Sequence, residues 1–192
     1  MDRELKELIA SDLYRYGIQN EKKLSFLARH ELYGFRYTKI LRKTKYYKEH
    51  GNVIRYMLNR LKLIYYTEKY GYSFSYSTEI GKGLYLGHLG SIVVNYQAKI
   101  GNNVNLAQGV TIGMANGGKH RGVPVISDNV WIGANSTVVG GIVIGEDVMI
   151  APNTFVNFDV PDHSIVTSER AKIIERNPAT INYVENKWSK EK

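Results

Sequence analysis

The sequence lacks cysteine, has only four prolines in 192 residues, and contains no long apolar run. Without cysteine the chain can form no disulfide, use no thiol nucleophile and offer no cysteine metal site. No apolar stretch is long enough to span a bilayer, and no N-terminal run of signal-peptide type is present. The absence of cysteine predicts a cytoplasmic protein, and a length of 192 residues suits one folded domain with a small appendage.

Positive charge and tyrosine are unevenly distributed along the chain. Residues 1–72 hold 16 Lys and Arg against 8 Asp and Glu, whereas residues 73–192 hold 10 of each. Eleven of the fifteen tyrosines also fall in residues 1–72. We therefore predict a basic, tyrosine-rich helical region at 1–72. The charge would suit nucleic acid, but no nucleic-acid motif accompanies it, and we expect no such partner.

From Ile80 onward, aliphatic residues return at every sixth position, with one two-residue slip and one insertion. The position after each of these aliphatics often holds a small residue. The position four residues after the aliphatic often holds a second small or apolar residue. A helix would place these aliphatics at drifting angles, and a hairpin meander needs longer strands. A parallel β-helix of stacked three-sided coils explains the spacing. The predicted inward positions are Ile80, Leu86, Ile92, Ile100, Leu106, Ile112, Ile126, Ile132, Val138, Ile144, Ile150 and Val156.

The insertion, residues 114–124 with the sequence MANGGKHRGVP, is polar and glycine-rich. We interpret it as a loop that leaves the coils. Lys119 and Arg121 give it two fixed positive charges, with His120 between them, which suits a phosphate or carboxylate ligand. The alternative is an ordinary solvated loop.

Three stretches, IGKGLYLGH, IGNNVNLAQGVTIG and ISDNVWIGANSTVVGGIVIGEDVMIAPNTFV, resemble the hexapeptide-repeat acyltransferases, and most closely their serine acetyltransferase-like branch. The resemblance covers roughly residues 73–175. It implies a homotrimer, an acetyl-CoA cosubstrate and no metal. The expected fold is mainly β: a left-handed parallel β-helix of hexapeptide repeats with an α-helical N-terminal region. The acyltransferase domain is expected at 73–160 and a short C-terminal extension at 161–192.

His88 falls where this family has its catalytic base. Acetyl transfer from a thioester to a hydroxyl needs a group that takes the hydroxyl proton, and imidazole titrates near neutral pH. A lone histidine is otherwise most simply read as a satisfied polar residue, and the match to GKGLYLGH favours the base. Tyr85 and His120 are candidates for contact with the acceptor.

The resemblance also implies the residues that hold acetyl-CoA. The family uses backbone groups in a groove between coils of adjacent subunits, and we expect the loop to contribute charge. Trp131 is a candidate to flank this groove or to pack at a subunit contact. The expected cosubstrate-binding residues are Gly113, Met114, Lys119, Arg121, Ala134, Ala151 and Pro152.

The predicted acceptor depends on three departures from the serine acetyltransferases. Gly87 and Ser73 stand where they have aspartates, and residues 122–124 read Gly-Val-Pro where they have Arg-His-Pro. Residues 65–95 also resemble enzymes that O-acetylate polysaccharides or their lipid-linked precursors. We therefore predict transfer to a sugar hydroxyl of a surface polysaccharide or its precursor. Serine or another small molecule is the alternative acceptor.

Two other functional classes stay open. A zinc enzyme of the carbonic-anhydrase-like β-helix type needs three histidines, and the repeats offer only His88 and His120 before His163. A non-catalytic binding module would leave His88 inert.

The N-terminal region has two interpretations. Leu5, Ile9 and Leu13 recur with helical spacing, and residues 51–71 form a helix with one broad apolar face. Such helices can cap the open end of a β-helix. Basic amphipathic helices can also contact an anionic membrane or a lipid-linked substrate, which would place the protein at the inner face of the membrane. The apolar face comprises Val53, Ile54, Met57, Leu58, Leu61 and Ile64.

Overall fold

The structure is a computed structural model that describes residues 3–169 and residue 175. The helices are α1 (Arg3–Tyr14), α2 (Phe26–Glu31), α3 (Tyr33–Glu49) and α4 (Val53–Tyr70), with a 3-10 turn at Glu21–Lys23. The strands that follow are β1 (Tyr72–Phe74), β2 (Glu79–Ile80), β3 (Tyr85–Leu86), β4 (Ile92–Val94), β5 (Lys99–Ile100), β6 (Asn105–Leu106), β7 (Thr111–Gly113), β8 (Val125–Ile126), β9 (Trp131–Ile132), β10 (Thr137–Val139), β11 (Val143–Ile144), β12 (Met149–Ile150), β13 (Phe155–Val156) and β14 (Ile165–Val166).

The strands stack into three parallel sheets that form the sides of a prism. In spatial order the first sheet is β1-β4-β7-β10-β13, the second β2-β5-β8-β11 and the third β3-β6-β9-β12-β14. Consecutive strands therefore lie in different sheets. Each strand from β4 to β13 pairs with the strand three before it, and β14 pairs with β12. The predicted fold, a left-handed parallel β-helix behind an α-helical N-terminal region, is confirmed. The coils continue to β14, and most of the predicted extension at 161–192 lies outside the described residues.

The predicted inward positions form the core of the prism. All of them from Leu86 to Val156 are buried, and Ile80 in the first coil is half-buried. Register joins them into columns: Leu86 pairs with Leu106, and Ile132 pairs with Leu106 and Ile150. Burying one such side chain contributes about 1.5–3 kcal/mol, so each coil that stacks on the next stabilises the prism.

Asparagine, aspartate and histidine make the corner before the third sheet. Asn103, Asn129, Asp147 and His163 all have φ between +54° and +60° there, a left-handed conformation that Asn and Asp tolerate better than most residues. The Asn103 amide donates to Asn129 Oδ1 at 3.2 Å, which links one coil to the next.

Two tyrosines from the helical region cover the free edges of the first coil. The Tyr37 hydroxyl donates to Tyr72 O at 2.9 Å and accepts from Phe74 N at 3.3 Å, along β1. The Tyr16 hydroxyl donates to Leu86 O at 3.0 Å and accepts from Leu86 N at 3.3 Å, along β3. Each hydroxyl thus forms the hydrogen bonds that a neighbouring strand would otherwise make. The edge of the first coil is no longer available to pair with a strand of another chain.

A buried ion pair covers the remaining side. Arg42 and Asp12 pair at 3.1 Å with side chains 6% and 0% exposed. The Arg42 guanidinium donates to Ile80 O at 2.7 Å and Gly81 O at 2.5 Å, and Asp12 accepts from Leu84 N at 2.9 Å. Because both charges are paired and hydrogen-bonded to backbone, the cost of burying them is offset. The helices therefore cap the first coil.

Helix α4 points its apolar face away from the rest of the protein. Leu63 and Tyr70 are buried, on the side that faces the first coil and α3. The predicted apolar face lies elsewhere on the helix and is exposed, from 40% at Ile64 to 75% at Ile54. Capping therefore uses only one side of α4. No helix among the described residues is long and apolar enough to cross a bilayer.

Candidate active site

His88 lies just after β3, at the corner where the third sheet passes to the first. Its side chain is exposed, and its imidazole has no hydrogen-bond partner within residues 3–169. Its carbonyl oxygen accepts a hydrogen bond from the buried Tyr72 hydroxyl at 2.8 Å. The backbone is therefore held while the ring is free to meet a substrate.

A small cleft of about 130 Å³ contains His88. Its walls come from three successive coils, because Tyr85 pairs in register with Asn105, and Asn105 with Trp131. Arg15 reaches across from the helical region and donates to Asn105 Oδ1 at 2.5 Å. The cleft is lined by Tyr85, Gly87, His88, Asn105, Leu106, Ala107 and Trp131.

Three of the predicted cosubstrate residues lie at the same corner as His88. Leu86, Leu106, Ile132 and Ile150 form one register column, so the positions two residues later also share a line. That line brings Ala134 and Pro152 below His88, with Ala151 beside Pro152. At about 4.8 Å per coil, Ala134 is roughly 10 Å from His88 along the prism.

The remaining predicted residues lie at a different corner. Gly113 ends β7 in the first sheet, and residues 114–124 leave the prism where the first sheet passes to the second. Met114, Lys119 and Arg121 are exposed there, and His120 is half-buried. Neither Lys119 nor Arg121 forms a salt bridge within the described residues. One protomer therefore does not bring the loop to His88.

The loop is fixed to the next coil by two glycines that the sequence analysis missed. Ala115 and Gly122 close it with a pair of backbone hydrogen bonds of 2.9 Å, and Gly141 N donates to His120 O at 2.8 Å. A Cβ at Gly140 would lie 2.7 Å from His120 O, and one at Gly141 2.7 Å from Arg121 O. The Gly-Gly pair, one coil after the loop, was the signal that could have revealed this contact.

The structure shows what stands where the family's aspartates would be. A Cβ at Gly87 would lie 3.2 Å from Cε1 of Tyr85, so the tyrosine ring covers this position. Ser73 is exposed in the middle of β1. Among the described residues no group of three or more His, Cys, Asp and Glu is arranged to hold a metal ion.

Comparison with known proteins identifies the type of repeat in part of the β-helix. The family model described as bacterial transferase hexapeptide (six repeats) matches residues 124–157. Residues 124–157 of the β-helix therefore match transferase hexapeptide repeats. The match lies in the coils around β8–β13, which include Trp131 and the small residues below His88.

Curated relatives are serine acetyltransferases. One from Helicobacter pylori is 34% identical over 98 residues, which are 51% of this chain and 57% of that protein. Serine acetyltransferase 2 of Arabidopsis thaliana is 36% identical over 111 residues, 56% of this chain and 33% of that protein. The chain thus spans between a third and somewhat more than half of these relatives.

Solved structures agree over a longer stretch that includes the helices. Neisseria gonorrhoeae serine acetyltransferase in complex with serine gives a TM-score of 0.70 at 29% identity, covering 90% of this chain and 70% of that one. Soybean serine acetyltransferase complexed with serine gives 0.70 at 26% identity, with the same coverage.

These findings contradict the sugar acceptor predicted from the sequence, and the alternative, serine or another small molecule, is the better supported reading. The prediction gave too much weight to the departures at Gly87 and Ser73. Loss of a carboxylate shows which contact is absent, but it does not show which acceptor replaces the old one. A polysaccharide role has no support in the relatives compared.

Proposed function

We propose that this protein is an acetyl-CoA-dependent O-acetyltransferase that acylates serine or a similarly small hydroxyl-bearing molecule. One observation carries the proposal. An exposed imidazole stands in a cleft between Tyr85 and Trp131, in a chain that superposes on serine acetyltransferases solved with serine. The cleft suits the reacting ends of two substrates.

His88 acts as the general base. Its ring nitrogen takes the proton of the acceptor hydroxyl while the oxygen attacks the thioester carbonyl. The new C–O bond forms, the C–S bond breaks, and the imidazolium returns the proton to the departing thiolate. A base in this role contributes about 10²–10⁴-fold to the rate. Tyr85 and His120 stay candidates for acceptor contacts.

Acetyl-CoA is proposed to lie along the corner below His88. Gly133, Ala134 and Ala151 are small there, which lets an extended chain approach the backbone closely. The charges on Lys119 and Arg121 suit the phosphates, yet they lie at another corner of the same protomer. A homotrimer supplies them, because a neighbouring copy can present its loop to this corner. Gly113, Met114 and Pro152 complete the proposed site.

The exposed face of α4 supports a second proposal, peripheral contact of this cytoplasmic protein with an anionic membrane. Arg55, Lys62 and Lys69 are spaced seven residues apart, so they follow one edge of the helix beside the apolar face. All are exposed, and none pairs with a carboxylate within the described residues. An apolar face with a cationic edge fits anionic lipid.

The acceptor is tested by offering purified protein acetyl-CoA with serine, threonine, homoserine and a panel of free sugars. We expect O-acetylserine, or the O-acetyl ester of one of the other small hydroxylated amino acids, by mass spectrometry together with release of one thiol per ester. Acetylation of a sugar but of no amino acid would overturn the proposal. So would a complete absence of transfer.

A further inference from the structure

A tyrosine inside the prism takes the place of an aliphatic residue. Tyr72, the first residue of β1, pairs in register with Ile92, which points into the core of the next coil. Tyr72 is fully buried, and its ring packs edge-on against Tyr37 with centroids 5.2 Å apart. An aliphatic side chain would fill this layer without introducing a hydroxyl that then needs a partner.

The partner of that hydroxyl is the backbone of the proposed base. Tyr72 Oη donates to His88 O at 2.8 Å, and no other group among residues 3–169 reaches this carbonyl. Burial raises the pKa of Tyr72, so the hydroxyl remains a donor throughout the range in which an imidazole titrates. The hydrogen bond from Tyr72 to His88 thus connects the first coil, which the helices cap, to the proposed active site.

Among the described residues, the backbone from Gly87 to Gly90 makes one other hydrogen bond, from Gly90 N to Tyr70 O at 3.4 Å. Gly87 precedes His88, and Gly90 follows with φ at +142°, a conformation that glycine adopts most readily. The imidazole itself has no hydrogen bond within the described residues. The direction of the ring therefore depends on the placement of its own backbone.

We infer that Tyr72 is a positioning residue for His88, which it holds through the carbonyl rather than through the ring. Tyr16 supports the same strand two residues earlier through both backbone groups of Leu86, and its ring lies 4.5 Å from that of Tyr85. Two tyrosine hydroxyls, those of Tyr16 and Tyr72, thus hold residues 86 and 88. This inference rests on the proposed function of His88.

The test compares Tyr72→Phe with Tyr70→Phe. Both remove a hydroxyl from a buried ring beside the first coil, but the Tyr70 hydroxyl has no hydrogen-bond partner within the described residues. We expect Tyr72→Phe to lower kcat by roughly tenfold, because small displacements of a catalytic group are costly. KM for acetyl-CoA should change less than about twofold. Tyr70→Phe should match the parent protein in both.

A second readout does not depend on activity. The His88 imidazole signals in NMR spectra should shift or broaden in Tyr72→Phe and stay unchanged in Tyr70→Phe, while circular dichroism shows both variants folded. Equal kcat and unchanged His88 signals in the two variants would overturn the inference. If the parent protein transfers no acetyl group, the proposed function fails, and the NMR comparison still decides whether Tyr72 orders His88.

Discussion

At the scale of single residues, Gly140 allows the close packing that positions the charged loop, residues 114–124. Gly140 has φ at +102°, and His120 O occupies the space that a side chain there would fill. Gly117, within the loop, has neither constraint, because a Cβ at that position would have no neighbour within 4 Å. The two glycines offer a matched pair for testing whether the loop binds acetyl-CoA.

Gly140→Ala should displace the loop and raise KM for acetyl-CoA by about fivefold or more, since a charged hydrogen bond contributes about 1.5–3 kcal/mol. Gly117→Ala should leave KM within about twofold of the parent value. Steady-state kinetics at saturating acceptor measure both. A rise of the same size in the two variants, or in neither, would count against a role of the loop in cosubstrate binding.

At the scale of secondary-structure elements, the helices have two sides with different surroundings. The sides of α1, α3 and α4 that face the prism cap it, and α3 approaches so closely that a Cβ at Gly34 would meet Leu86 O. The opposite side of α4 is apolar and exposed, with a cationic edge. The cap does not use the exposed side of α4. The apolar residues and cationic edge of that side therefore favour contact with a surface outside the protein.

Substituting Ile54→Ser and Leu58→Ser together should weaken binding to phosphatidylglycerol-containing vesicles by at least about tenfold, because each side chain buries apolar area in the interface. Pure phosphatidylcholine vesicles should bind the parent protein poorly. Ile165→Ser, which removes a comparably exposed side chain from β14, is the control. Vesicle sedimentation measures the binding of the parent, the doubly substituted protein and the Ile165→Ser control.

Two results would contradict membrane contact. Equal binding of the parent and doubly substituted proteins to anionic vesicles would show that the face is not used. Loss of an oligomer in the doubly substituted protein, seen by light scattering, would show that the face contacts a second copy of the chain.

At the scale of the whole molecule, the sequence predicted the prism well because the repeat spacing involves only residues that are close together in sequence. Each side needs one inward aliphatic, so spacing alone identified positions such as Ile132 and Ile150. The edge contacts of Tyr16, Tyr37 and Tyr72 were beyond reach, because they join residues far apart in sequence. Repeat spacing carries no information on handedness, which came from family resemblance.

The site was predicted less completely than the fold. His88, Ala134 and Ala151 share a corner, since register follows from the same spacing that identified the core. The loop residues were assigned to a groove between adjacent subunits. Within one protomer Lys119 and Arg121 lie at another corner than His88, so this assignment stays a prediction that depends on the assembly. The acceptor was predicted wrongly, because side-chain differences near His88 do not determine what binds there.

The most direct measurement is kcat for acetyl transfer in His88→Asn, with His163→Asn as the matched control. His163 is also exposed, and its φ of +54° suits asparagine. Loss of the base should lower kcat by about 10²–10⁴-fold in His88→Asn, with circular dichroism unchanged, and His163→Asn should keep parent activity. Full activity in a folded His88→Asn protein would contradict the account.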